Sequence, residues 1–127
     1  MFEQDWFMRQ MQLGTQALAR FLLNKDAPEQ EILFQTENSL SDPLYLQLLG
    51  LISQDKVNEA EDLLFFEMDI SDIRYIWIAV AFYQKITQFS DSHLKRCLFS
   101  RQEIEQGLSD VAALYGLPPE LMRLGIV

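Results

Sequence analysis

The sequence is short of several things that chemistry needs. Its 127 residues include one cysteine and one histidine. A single cysteine excludes an intramolecular disulfide and a multi-cysteine zinc site, and a single histidine excludes catalysis or metal binding by histidine pairs. Glycine occurs five times, with no glycine-rich phosphate loop. Basic side chains are few, ten Lys and Arg against 19 Asp and Glu, for a formal net charge of −9. Affinity for nucleic acid and for anionic membrane surfaces comes largely from Lys and Arg, so neither is an expected partner. No apolar run approaches the roughly 18 residues that suggest a bilayer span. The first residues, Met1-Phe2-Glu3-Gln4-Asp5, lack the basic start and apolar core of a signal peptide, so a cytoplasmic protein is expected.

What is present is ordinary globular material, 49% hydrophobic and 23% charged, sized for a single helical domain over residues 1–127. The charge is unevenly spread. Residues 32–92 hold three basic and ten acidic side chains, whereas residues 93–127 are neutral. A negative surface keeps a small domain soluble. Concentrated in one segment, it can also dock a basic partner, and residues 55–72 are the candidate face.

The apolar pattern is helical throughout, and no strand pattern occurs. Over residues 4–24, Phe7, Met11, Gly14, Leu18 and Phe21 recur at alternating four- and three-residue steps. Asp42-Pro43 reads as a helix start, with Pro43 at the first helical position. Ser53-Gln54-Asp55 is a short turn, and residues 57–68 form the next helix. So short a link predicts an antiparallel hairpin. Ser71 or Asp72 caps a further helix that reaches about Gln88. Its run from Tyr75 to Tyr83 is apolar on all sides and is expected to be buried. Phe89-Ser90-Asp91-Ser92 is a break. Ser100-Arg101-Gln102-Glu103 is a capping box, and Gly116 is a helix-ending glycine. The expected fold is all-α, a five- to six-helix bundle with antiparallel hairpins and tetratricopeptide-like packing. The segment from Lys56 to Leu64 suggests that packing, but no partner repeat occurs about 34 residues along.

Candidate chemistry is thin. His93 and Cys97 are four apart and could share a helix face, as a thiolate–imidazole dyad or two metal ligands require. Two ligands do not make a tetrahedral site, so a buried lone cysteine is the simpler reading. Glu59, Glu61, Asp62, Glu67, Asp69 and Asp72 cluster, but without the glycine and terminal Glu of a calcium loop. No catalytic residue, cofactor or metal is therefore expected. Residues 104–126, around Ala112, Gly116 and Pro118-Pro119, have the look of a helix-turn-helix. A recognition helix there would be short and carry one base, Arg123.

Three segments share a further likeness. They are Asp5-Trp6-Phe7-Met8-Arg9-Gln10-Met11, the stretch from Lys56 to Phe66, and Phe99-Ser100-Arg101-Gln102-Glu103-Ile104-Glu105-Gln106-Gly107-Leu108 with Tyr115-Gly116. Together they resemble a family of short uncharacterised proteins of low-GC Gram-positive bacteria, a domain of unknown function. The resemblance implies a helical, cytoplasmic, bacterial protein and carries over no site residue. The expected role is non-enzymatic, by self-association as a homodimer or by contact with a protein partner. The candidate interaction residues are Phe7, Met11, Leu18 and Phe21 on the N-terminal stripe, and Glu59, Asp62, Glu67 and Asp69 in the acidic middle. The alternative is a transcription-associated protein that uses residues 104–126.

Overall fold

A computed structural model describes residues 40–117, Ile73 excepted. The described residues form five helices and no strand: α1 (Pro43–Ile52), α2 (Val57–Glu67), α3 (Arg74–Thr87), α4 (Asp91–Arg96) and α5 (Arg101–Leu114). The all-helical expectation is met. The N-terminal stripe and residues 118–126 of the helix-turn-helix look-alike lie outside the described residues.

Four of the five helix starts follow from a capping side chain, whereas α2 begins after Lys56 without one. Asp42 caps α1 by accepting the Leu44 N–H at 2.8 Å, and Pro43 occupies the first turn, where its missing N–H costs nothing. Asp72 accepts the Arg74 N–H at 3.0 Å at the start of α3. Ser90 accepts the His93 N–H at 3.1 Å and opens α4. The capping box at α5 is complete: Ser100 Oγ accepts the Glu103 N–H, and Glu103 Oε2 accepts the Ser100 N–H at 2.7 Å.

Three helix ends use one device, a residue in the left-handed region that, with the residue after it, returns two N–H groups to the last turn. After α1, Asp55 (φ 61°) holds that position, with Lys56 N–H donating to Leu51 O and Asp55 N–H to Ile52 O. After α4 it is Leu98 (φ 57°), with Phe99 N–H donating to Leu94 O and Leu98 N–H to Lys95 O. After α5 it is Gly116 (φ 67°), with Leu117 N–H donating to Ala112 O. Glycine adopts this conformation at no steric cost, whereas a side chain costs about 1 kcal/mol or more. Leu98 is 81% exposed, so its side chain recovers little of that by burial. Leu98→Gly is therefore expected to raise stability by about 1 kcal/mol. Urea unfolding checks this, and an unchanged or lowered midpoint contradicts it.

The core centres on α3. Every residue from Ile76 to Tyr83 is buried, as an all-round apolar helix requires. Helix α1 packs against α2 across the 53–56 turn, and α3 packs against both α1 and α5. Helices α3 and α5 approach closely at Gly107, where an added Cβ would overlap the Tyr83 side chain. Tyr83 in turn donates its hydroxyl to Glu61 Oε2 at 2.6 Å and meets Phe82 edge-on, with ring centroids 5.0 Å apart.

The α2–α3 turn is held by polar contacts. Asp69 Oδ1 accepts the Ser71 N–H (2.9 Å) and hydroxyl (2.6 Å), and Asp72 pairs with Arg74. Just past α5, the Tyr115 hydroxyl donates to Asp69 O (2.7 Å) and Asp72 O (3.0 Å). Burial and the Asp72 and Asp69 charges push that hydroxyl's pKa up to about 12. The Ser71 hydroxyl and N–H hold the Asp69 carboxyl below its ordinary 3.8, and Arg74 does the same for Asp72. A carboxyl depressed in the fold stabilises it above the unfolded pKa, and that stability disappears as pH falls through the folded value. Thermal midpoints of the native chain should fall between about pH 5 and about pH 2. In the Asp69→Asn/Asp72→Asn double variant they should start lower and fall less. Parallel curves for the two proteins would contradict the assignment.

Candidate functional site

The most chemically dense place lies between the α1–α2 turn and α4. Its residues come from the turn of the first described hairpin and from the shortest described helix with its C-terminal end. Asp55 sits in the left-handed turn position after α1, which directs its carboxylate toward α4. His93 Nε2 lies 2.8 Å from Asp55 Oδ1, and Arg96 Nε lies 3.4 Å from Asp55 Oδ2. The His93 ring stacks on Phe89, with centroids 3.9 Å apart and planes 9° from parallel. Cys97, the residue that ends α4, is a free and buried cysteine. One donor atom from each of Asp55, His93 and Cys97 falls within 4.8 Å of the other two. The Asn58 side-chain amide, from the start of α2, donates to Cys97 O (3.4 Å) and Leu98 O (3.1 Å) and so fixes the backbone behind the thiol.

The four-residue spacing allows His93 and Cys97 to share a helix face, and the structure brings them together. It adds Asp55, which the spacing did not indicate because 38 residues separate it from His93. The arrangement is not that of an activated thiol. A nucleophilic cysteine needs a base or a cation beside it, and here His93 is turned to the carboxylate. Burial pushes the Cys97 thiol pKa up, and the neighbouring Asp55 charge adds to the effect. Asp55 itself is held below the usual carboxylate range, chiefly by its hydrogen bond with His93.

A concave region lies elsewhere, between α2 and α5, lined by Glu61, Asp62, Phe65, Glu103, Gln106, Gly107 and Asp110. Burial raises the Glu61 pKa, opposed by the Tyr83 hydroxyl that donates to it. The Tyr83 pKa is raised in turn, first by burial and then by the Glu61 charge. This pair accounts for Glu61 as an internal acceptor that satisfies a buried hydroxyl.

The acidic candidates Glu59, Asp62, Glu67 and Asp69 are all exposed. Glu59, Asp62 and Phe66 follow at three- and four-residue steps, which places them on one face of α2. Phe66 is 83% exposed, and Ile70, just past the helix, is 65% exposed. Charge alone had marked this stretch; its apolar component was not part of that expectation, although a Phe among acids on one helical face is the signal that carries it. Phe7, Met11, Leu18 and Phe21 fall outside the described residues.

Among the described residues, no helix is long and apolar enough to cross a membrane. The described residues define an all-helical fold within a small, acidic chain. The chain belongs to the Family of unknown function (DUF6483), whose model matches residues 1–116. No curated protein and no solved structure matches it.

Proposed function

We propose that the chain acts by protein–protein contact and not by catalysis, and that its contact surface is the exposed face of α2 with the α2–α3 turn. The observation that carries this is Phe66, a large aromatic 83% exposed among the exposed carboxylates of Glu59, Asp62 and Glu67. An aromatic left in water and ringed by charge is suited to anchoring a partner. The partner that fits is basic and apolar, as an amphipathic helix rich in Lys and Leu is. A second copy of the chain does not fit this face, because a twofold contact would set its carboxylates against themselves. A homodimer would have to use another surface, such as the Phe7, Met11, Leu18 and Phe21 stripe. A cytoplasmic setting agrees with the free thiol of Cys97.

The test is titration of the full chain with an amphipathic Lys/Leu peptide, followed by light scattering to establish the mass of the complex. The native chain should bind with one peptide per chain, and Phe66→Ser should weaken binding by at least about tenfold, the loss of a buried anchor. Equal binding by Phe66→Ser, or no binding by the native chain at low salt, would overturn the proposal.

A further inference from the structure

We propose that Asp55, His93 and Cys97 form a binding site for a divalent cation of the zinc class, which ties the α1–α2 turn to α4. Their donor atoms already converge, all within 4.8 Å of one another. With Zn–N and Zn–O near 2.1 Å and Zn–S near 2.3 Å, tetrahedral donors sit about 3.3–3.8 Å apart. The widest pair must therefore close by about 1 Å, within reach of side-chain rotation. A sulfur, an imidazole nitrogen and a carboxylate oxygen form a set that favours zinc over the all-oxygen preferences of calcium and magnesium. Thiolate and carboxylate together match the charge of a divalent ion. Three protein donors leave a fourth position for water or for a donor from elsewhere.

The surroundings already orient these donors. Arg96 holds Asp55 Oδ2, which leaves Oδ1 facing His93. Stacking on Phe89 fixes the imidazole plane. The Asn58 amide holds the carbonyls of Cys97 and Leu98, in the turn that carries the thiol. Outer-shell contacts of this kind set ligand geometry in metal sites. Ion binding displaces the thiol proton to solvent, and a proton on His93 Nε2 moves through solvent to Nδ1, which frees Nε2 to ligate. An alternative account is a plain Asp55–His93 hydrogen bond with an inert thiol alongside. The two differ at Cys97, whose thiolate only the metal site requires.

The experiment uses full-length chain stripped with a chelator and titrated with Co²⁺, then with Zn²⁺. The native chain should develop a thiolate-to-cobalt charge-transfer absorption and the visible bands of a tetrahedral ion, saturating at one ion per chain, and zinc should bleach both. Cys97→Ser should lose the charge-transfer band. His93→Gln and Asp55→Asn should each weaken zinc binding by at least about tenfold. Zinc should raise the thermal midpoint of the native chain and leave that of Cys97→Ser unchanged. Cobalt uptake by the native chain without a thiolate band, or the same zinc affinity in the native chain and Cys97→Ser, would overturn the site. The native spectrum stands even where a variant fails to fold.

Discussion

Gly107→Ala is expected to destabilise the fold by about 1–3 kcal/mol, the cost of forcing a methyl group into a filled interior. Gly107 is buried on α5, and an added Cβ would overlap the hydroxyl, Cζ and Cε1 of Tyr83. Tyr83 has little room to retreat, since its hydroxyl is tied to Glu61 and its ring rests edge-on against Phe82. The penalty should therefore appear as lost stability and not as a small local adjustment. Tyr83→Phe should relieve only part of it, because two of the three overlapping atoms belong to the ring and remain. In a Tyr83→Ala background the glycine substitution should cost much less than in the native chain, a coupling that marks direct contact. Urea unfolding of the four proteins in the cycle measures it, and additive losses would contradict the packing described.

Arg101→Ala is expected to cost about 2–3 kcal/mol, more than a surface arginine normally contributes. The Arg101 side chain is 18% exposed and lies across the end of α3. Its Nη1 donates to Thr87 O at 3.1 Å, its Nη2 to Phe89 O at 2.8 Å, and its Nε to Asp91 at 2.9 Å. The two carbonyls belong to the last residues of a helix and its exit, where intrahelical donors run out. One guanidinium thus closes α3, engages the first turn of α4 and starts α5. Arg101→Lys should retain less than half of the stability, because a single ammonium cannot reproduce a planar fork with three separate acceptors. Chemical unfolding of both variants checks this, and a lysine variant as stable as the native chain would contradict it.

The features that the sequence made legible are those written within a few residues. Asp42-Pro43, the Ser100–Glu103 capping box and Gly116 all do what their residue types predict. The nine-residue apolar run 75–83 is the buried helix that its all-round apolar character predicts, with every residue from Ile76 to Tyr83 buried. Helix α4 is not legible as an element beyond the His93–Cys97 spacing, because its six residues are too few for a period to register. Two of the three left-handed helix ends also escape notice, because Asp55 and Leu98 stand where glycine is the usual signal. The same substitution hid the candidate site. His93 and Cys97 were visible as a pair, but Asp55 joins them only once its turn brings it back across 38 residues. The acidity of residues 55–72 was legible from charge alone. That Phe66 stands exposed among those carboxylates depends on which face of α2 packs inward, with Val57, Ala60 and Leu64.

The contact role is tested most directly by reversing the charge of the proposed surface and exchanging the peptide to match. The variant Glu59→Lys/Asp62→Lys/Glu67→Lys leaves Phe66 and the buried side of α2 intact. Two amphipathic peptides of the same apolar pattern, one Lys-rich and one Glu-rich, are titrated against native and reversed chains at low salt. The native chain should prefer the Lys-rich peptide and the reversed chain the Glu-rich one, with both preferences shrinking as salt screens the charges. Native and reversed chains with the same preference, or neither binding either peptide, would contradict a docking surface on α2.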